Sequence, residues 1–189
     1  MSQEERIRSG PKKPRDPTAL LRSAGKLKTI KRTGWIRKAG ILENAESVAD
    51  HSFRMAIIGA YLSEVERLDS SRVIRMCLFH DLAESEIGDL TPEEKVSEQD
   101  HRKMEDSEIM KIFVDLPEKI RKKFLRDWKD LLQNESKEAR LVWKIDKLEM
   151  GLQMKDYLAR GVDRKKLAEF DPSGALPTRL EKIFKSYSG

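Results

Sequence analysis

Two histidines and several carboxylates in this chain could bind a metal ion. His51 and His80 are two of only three histidines, and each lies in a segment whose neighbours are mostly apolar. Asp81 follows His80 directly, and Asp146 interrupts an otherwise apolar helical face. A carboxylate is costly to bury among apolar residues unless a cation compensates its charge. The pattern indicates a buried cation site, although one such histidine taken alone is more often a hydrogen-bonded core residue.

The chemistry expected of these four side chains is metal-assisted hydrolysis. Two neutral imidazoles and two carboxylates balance the charge of one divalent ion and leave coordination positions for water and a substrate oxygen. His80 and Asp81 are adjacent, and adjacent side chains diverge by about 100° on a regular helix. Both can therefore reach one ion only where a helix ends or is distorted, and Gly88 nearby favours such an end.

The order His51, then His80–Asp81, then a distant Asp146 resembles the metal-binding signature of the HD-domain phosphohydrolases, which are helical proteins. Three segments resemble, within that family, the YfbR-like 5'-deoxynucleotidases and the HD-domain-containing protein 2 group. They are RTGW (32–35), ESVADH (46–51) and HDLAESEIGD (80–89). The resemblance covers roughly residues 20–160. It implies an enzyme that removes phosphate from (deoxy)ribonucleoside 5'-monophosphates.

The same resemblance implies roles for individual residues. They are the metal ligands His51, His80, Asp81 and Asp146, the catalytic acids Glu84 and Asp89, and the substrate-binding residues Arg32, Trp35 and Asp89. Arg32 would bind phosphate, and Trp35 would lie near the sugar or base. In the bacterial nucleotidases this arginine and tryptophan are adjacent, whereas Thr33 and Gly34 separate them here. Family precedent also implies one Mn²⁺, Co²⁺ or similar ion, with Mg²⁺ as an alternative, and a homodimer.

Several alternatives stay open at this point. Glu84 or Asp89 could orient or deprotonate the attacking water, or protonate the leaving 5'-oxygen. Arg32 suits the charge that develops on phosphate, but it could also be a solvated charge in a basic run. The substrate could instead be a cyclic nucleotide, a nucleoside triphosphate or an alarmone. From another class, the chain could be a non-catalytic nucleic-acid-binding or scaffold protein, with salt-sensitive binding and no phosphate release.

The elements that must position these residues are helices. Apolar residues recur at helical spacing from Thr18 to the carboxyl end, and we find no alternating strand pattern with hairpin turns. The predicted fold is all-α, a single-domain helical bundle of the HD type over residues 18–189. The first helix has apolar residues at helical spacing from Thr18 to Ile30 and ends near Thr33–Gly34, and a loop follows through Gly40. Further helices cover residues 47–68, 71–80, 92–114 with a break, 117–133, 136–160 and 177–187. Ser47 and Asp50 can form a capping box at the start of the second helix. His101 is expected to be exposed.

Composition limits the cellular setting. Residues 1–17 are polar, carry three prolines and show no apolar periodicity, which predicts a flexible tail. The lone cysteine, Cys77, has no disulfide partner, and no run of about 20 apolar residues could span a bilayer. We therefore expect a cytoplasmic protein that is not bound to membranes. The net charge of +5 favours anionic partners. The basic tail lacks the aromatic residues of a protein that binds single-stranded nucleic acid, so a nucleotide is favoured over a nucleic acid as the anionic ligand.

Overall fold

The computed structural model describes residues 16–94 and 97–188. These ranges fold into helices joined by turns and loops, which confirms the predicted all-α class. They hold ten α-helices and no strand, and Lys31 and Ser47 form an isolated β-bridge. The α-helices are α1 (Thr18–Lys26), α2 (Thr33–Arg37), α3 (Val48–Glu66), α4 (Ser70–Phe79), α5 (Glu84–Ile87), α6 (Glu98–Phe113), α7 (Glu118–Gln133), α8 (Lys137–Ala159), α9 (Arg164–Leu167) and α10 (Thr178–Ser186). Two 3-10 helices span Pro92–Glu94 and Ala168–Phe170. None of the helices in these ranges is long and apolar enough to cross a membrane.

Local sequence signals determine where several helices begin and end. The Ser47 hydroxyl accepts a hydrogen bond from the Asp50 N–H, and the Asp50 carboxylate accepts one from the Ser47 N–H. This is the capping box that the sequence predicts at the start of α3. Gly161, just after α8, has a positive φ of 89°, as expected where glycine ends a helix.

Helix α3 is central to the fold and packs against both α4 and α8. On its inner face Val48, Met55 and Leu62 are fully buried. Gly59 lies on the same face, and a Cβ atom there would be 3.0 Å from both Cys77 and Val73 of α4. The missing side chain lets α3 and α4 approach closely, which brings the site residues of the two helices together.

Three expectations from the sequence are wrong in detail. Residues 33–37, expected in a loop, form α2. Helix α1 ends at Lys26 rather than near Thr33–Gly34, because the amides of Lys28 and Thr29 donate to carbonyls only three residues back and tighten the turn. His101 is buried instead of exposed, since α6 packs against both α1 and α7, and its Nε2 lies 3.0 Å from Glu105 Oε1. The predicted tail lies outside the described residues except for Asp16 and Pro17.

Gly151 of α8 offers a test of this packing. A Cβ atom at that position would lie 2.5 Å from Cγ and 2.7 Å from Cδ of Pro172, with Phe184 at 3.1 Å. Overpacking of a close contact costs about 1–3 kcal/mol, so we expect Gly151→Ala to lower the free energy of unfolding by that amount in urea titrations. Gly25→Ala is the matched control, because nothing lies within 4 Å of its Cβ position. It should raise stability by about 0.4–1 kcal/mol, and equal effects would contradict the packing.

Candidate metal centre and substrate cleft

The four predicted metal ligands come from three parts of the fold and meet at one place. His51 lies in the first turns of α3, and Asp146 lies in the middle of α8. Helix α4 ends at Phe79, so His80 is its C-terminal cap and Asp81 belongs to the turn that follows. The helix end that the adjacent His–Asp pair requires is therefore present, and both side chains reach the same point.

The distances between the ligand atoms are short. His80 Nε2 lies 2.9 Å from Asp81 Oδ2, and His51 Nε2 lies 3.9 Å from the same oxygen. His51 Nε2 is also 3.2 Å from Asp146 Oδ1. Ligand atoms of His51, His80 and Asp81 all lie within 4.8 Å of one another. The spacing of His51, His80 and Asp81 suits coordination of one ion, and Asp146 adjoins this group at His51.

The two imidazoles direct their Nε2 atoms toward this point. His51 Nε2 and His80 Nε2 are buried, and neither forms a hydrogen bond with good geometry to any described residue. The Nδ1 atom of His80 donates to the Cys77 carbonyl at 2.7 Å, because a carbonyl can only accept. In the neutral ring, Nε2 is therefore the nitrogen with the lone pair. Two buried, unpartnered ring nitrogens that face carboxylates fit a divalent ion.

The charges around His51 fit a cation as well. Burial and Arg32 lower the pKa of His51, but Glu149 and Asp146 outweigh them and raise it to about 10. Burial raises the pKa of Asp81, yet His80 and Arg32 hold it below its usual range, and His51 does the same for Asp146. The carboxylates thus favour a positive charge at this point, which a divalent ion would supply in place of a proton.

Arg32 lies beside this centre and is not a solvated surface charge. Its side chain is only 18% exposed, and its Nη1 lies 2.8 Å from Asp81 Oδ2 and 3.6 Å from Asp89 Oδ1. Asp89 also accepts a hydrogen bond from the backbone N–H of Thr33. The solvated alternative is therefore wrong, because α2 and the turn after α5 enclose the guanidinium between two carboxylates.

Glu84 opens α5 and is buried, and its Oε2 has no hydrogen-bond partner among the described residues. Burial, reinforced by the Asp81 and Asp89 carboxylates, raises the pKa of Glu84 well above its usual range. The neutral acid is the favoured form, and a neutral carboxyl can donate a proton.

Trp35 lies deeper than a substrate-binding residue usually does. It is 2% exposed, its Nε1 donates to Glu46 Oε1 at 2.7 Å, and its ring packs on Phe170 with centroids 4.0 Å apart. The indole N–H therefore already has a hydrogen-bond partner within the protein. Only its apolar surface lines the adjoining cavity, which Arg32 and Asp89 also line.

Two cavities adjoin the centre. One, of about 240 Å³, is lined by Arg32, Trp35, Asp89 and, on its apolar side, Met150 and Phe170. The other, of about 500 Å³, is more polar, and its lining includes His80, Asp81, Glu84, Asp146, Trp143 and Lys147. Asp81, which lines the second cavity, is ion-paired with Arg32, which lines the first. A bound molecule could therefore place a charged group at the centre and an apolar group in the smaller cavity.

Three buried or half-buried residues next to His51 were missed by reasoning from sequence. Glu149 is fully buried and contacts His51 Nδ1, Arg54 pairs with Glu149, and Glu46 accepts from Trp35. Burial and Glu149 raise the pKa of Glu46 to about 7. A signal for Glu149 was present, since it lies three residues after Asp146 and so on the same face of α8.

The chain is similar to known proteins in both sequence and fold. The profile of the HD domain family matches residues 24–178. The 5'-deoxynucleotidase HDDC2 of Mus musculus is 36% identical over 138 residues, covering 73% of this chain and 68% of that protein. The 5'-deoxynucleotidase HDDC2 of Dictyostelium discoideum is 38% identical over 140 residues, covering 70% and 73%. A solved structure of a conserved hypothetical protein from Pyrococcus furiosus superposes with a TM-score of 0.71 at 28% identity, covering 90% of this chain and 97% of that one.

Proposed function

This chain belongs to the HD domain family, and from that premise we propose that it is a metal-dependent 5'-nucleotidase. It hydrolyses (deoxy)ribonucleoside 5'-monophosphates to nucleoside and phosphate, as the names of its relatives as 5'-deoxynucleotidases suggest. One observation carries the proposal: the unpartnered Nε2 atoms of His51 and His80 face Asp81 and Asp146 beside the half-buried guanidinium of Arg32.

His51, His80, Asp81 and Asp146 would hold the divalent ion. Mixed imidazole and carboxylate ligands suit Mn²⁺, Co²⁺ or a similar transition metal, with Mg²⁺ as the alternative. When bound, such an ion acts as a Lewis acid toward a phosphoryl oxygen and makes water more acidic.

The chain's own residues bind the phosphate and move protons. Arg32, oriented by Asp81 and Asp89, offers two parallel N–H groups to phosphate oxygens, where negative charge develops during hydrolysis. Glu84, whose Oε2 is buried and unpaired in the larger cavity, donates a proton to the leaving 5'-oxygen. Asp89 orients the attacking water or accepts its proton.

The smaller cavity is the proposed site of the nucleoside. Arg32 and Asp89 supply the charged lining beside which the phosphate would bind, and Met150, Phe170 and Trp35 supply apolar lining for the sugar and base. This arrangement favours a small nucleotide over a nucleic acid as the ligand. The free, buried thiol of Cys77 supports a reducing, cytoplasmic location.

A phosphate-release panel tests the activity. Ribo- and deoxyribonucleoside 5'-monophosphates are incubated with the protein and Mn²⁺, Co²⁺, Mg²⁺ or a chelator. We expect release with Mn²⁺ or Co²⁺ and none with chelator, whereas cyclic nucleotides, nucleoside triphosphates and alarmones should be poor substrates. Turnover that survives the chelator would contradict the metal dependence, and preferred release from one of the other phosphates would change the substrate class.

We further propose that the protein is a homodimer that pairs through α3. Phe53, Ile57, Tyr61 and Val65 recur every four residues and are 67%, 57%, 63% and 40% exposed, so they form one apolar stripe on the outer face of the helix. Such a stripe is typical of an interaction surface.

A second copy of α3 is complementary to this stripe. In an antiparallel pair with the two-fold axis between Ile57 and Tyr61, Phe53 lies opposite the partner's Val65, and Ile57 lies opposite the partner's Tyr61. The apolar positions therefore match in a two-fold arrangement, as an isologous interface requires.

The double substitution Ile57→Lys and Tyr61→Lys tests this surface. It places like charges across the two-fold axis, so light scattering should give the 21.9 kDa monomer mass instead of twice that value. The control is Leu42→Lys, which removes another exposed apolar side chain, 80% exposed, outside α3 and should leave the dimer intact. A dimer that survives the double substitution would exclude this surface, and a monomeric wild type would exclude the dimer.

A further inference from the structure

We propose that Glu149, held in place by Arg54, is a positioning residue for His51 and thereby sets the affinity of the centre for its divalent ion. The inference rests on the proposed function, in which His51 is a metal ligand. Glu149 itself would not contact the ion or the substrate, because its carboxylate lies on the Nδ1 side of the imidazole, away from Nε2.

The contacts form a hydrogen-bonded network between α3 and α8. One carboxylate oxygen of Glu149 contacts His51 Nδ1, and the other accepts from Arg54 Nε at 2.7 Å. The remaining nitrogens of Arg54 donate to Asp156 and, at 2.7 Å, to Gln153. His51 and Glu149 are both fully buried, and Arg54 is 26% exposed. A buried carboxylate with its own arginine is compensated whether or not an ion is present, so it can act as a fixed part of the scaffold.

The role of these hydrogen bonds follows from the hydrogen-bonding capacity of a neutral imidazole. Such a ring has one N–H donor and one acceptor nitrogen. A carboxylate can only accept, so Glu149 requires the proton of His51 on Nδ1 and leaves the lone pair on Nε2, where it faces Asp81 and Asp146. Glu149 therefore selects the tautomer that can bind a metal and fixes the ring plane as well.

The substitution Glu149→Gln keeps the size of the side chain and removes this selection. If the amide NH₂ faces Arg54, two donors oppose each other. If it faces His51, it donates to Nδ1 and moves the ring proton to Nε2, the atom that faces the metal site. Both arrangements weaken His51 as a metal ligand. The hydrogen-bond partner of a metal-binding histidine typically contributes a factor of about 10–100 in metal affinity.

The experiment measures Mn²⁺ binding to the metal-free full chain by isothermal titration calorimetry, so that the readout does not depend on activity. We expect Glu149→Gln to raise the Kd for Mn²⁺ roughly 10- to 100-fold. The matched control is Asp127→Asn. Asp127 is a fully buried carboxylate held by two arginines, Arg72 and Arg75, but it contacts no proposed ligand. Its substitution should lower thermal stability and leave the Kd unchanged.

The outcomes separate this inference from the proposed function. An unchanged Kd in Glu149→Gln, or an equal rise in Asp127→Asn, would overturn the positioning role while wild-type binding and turnover remained. Failure of the wild type to bind Mn²⁺ would instead overturn the proposed metal site. If Glu149→Gln does not fold, the partly exposed Arg54→Gln tests the same contact, and a Kd equal to that of the wild type would then reject the inference.

Discussion

Replacing Asp81 with alanine is expected to lower phosphate release by about a thousandfold. Asp81 Oδ2 lies 2.9 Å from His80 Nε2 and 2.8 Å from Arg32 Nη1. The substitution therefore removes one metal ligand and frees Arg32 from one of its two carboxylate partners. Loss of several kcal/mol of charge stabilisation, taken as about 4, corresponds to roughly three orders of magnitude in rate.

Two measurements check this result. The first is the initial rate of phosphate release from a deoxynucleoside monophosphate, and the second is the amount of Mn²⁺ bound per chain after dialysis. Both should be lower in Asp81→Ala than in the wild type. Asp100→Ala is the control, since Asp100 is an exposed acid near the start of α6 and its removal should change neither quantity. An Asp81→Ala protein with normal metal content and normal rates would show that the centre does not act as assigned.

The substitution Glu84→Gln is expected to lower kcat by about 10²–10⁴, with a much smaller change in KM. Glutamine keeps the shape of the side chain but cannot transfer the proton that Glu84 is proposed to supply. Substrate binding depends mainly on Arg32 and the apolar cavity, and neither is altered. Steady-state kinetics at saturating Mn²⁺ separate the two constants.

The control for this prediction lies two residues away. Glu86 is exposed and pairs with Lys26 at 2.8 Å, so Glu86→Gln should retain full activity. Asp89→Asn, measured in parallel, distinguishes the two acids that the sequence could not tell apart. If Glu84→Gln turns over normally and Asp89→Asn does not, the acid–base role belongs to Asp89.

Much of the fold could be predicted because it depends on local signals. The helical periodicity, the capping box of Ser47 and Asp50 and the glycine after α8 act within a few residues, so they are visible in the sequence. The adjacent His80 and Asp81 also carried a local requirement, a helix end, and the structure meets it. The substrate class came from the resemblance to a family and not from the spacing of these residues.

Other properties of the site were decided only when the helices packed. The sequence by itself determined which side chains could bind an ion: two imidazoles and two carboxylates in apolar surroundings. It did not determine that Trp35 uses its indole N–H on Glu46, that Glu149 holds the far side of His51, or that Arg32 is enclosed by carboxylates. These pairings join residues distant in sequence, and a polar side chain takes whichever partner the packed helices bring within hydrogen-bond distance. Burial and partner choice are therefore properties of the tertiary structure, whereas ligand chemistry and helix ends are properties of the chain.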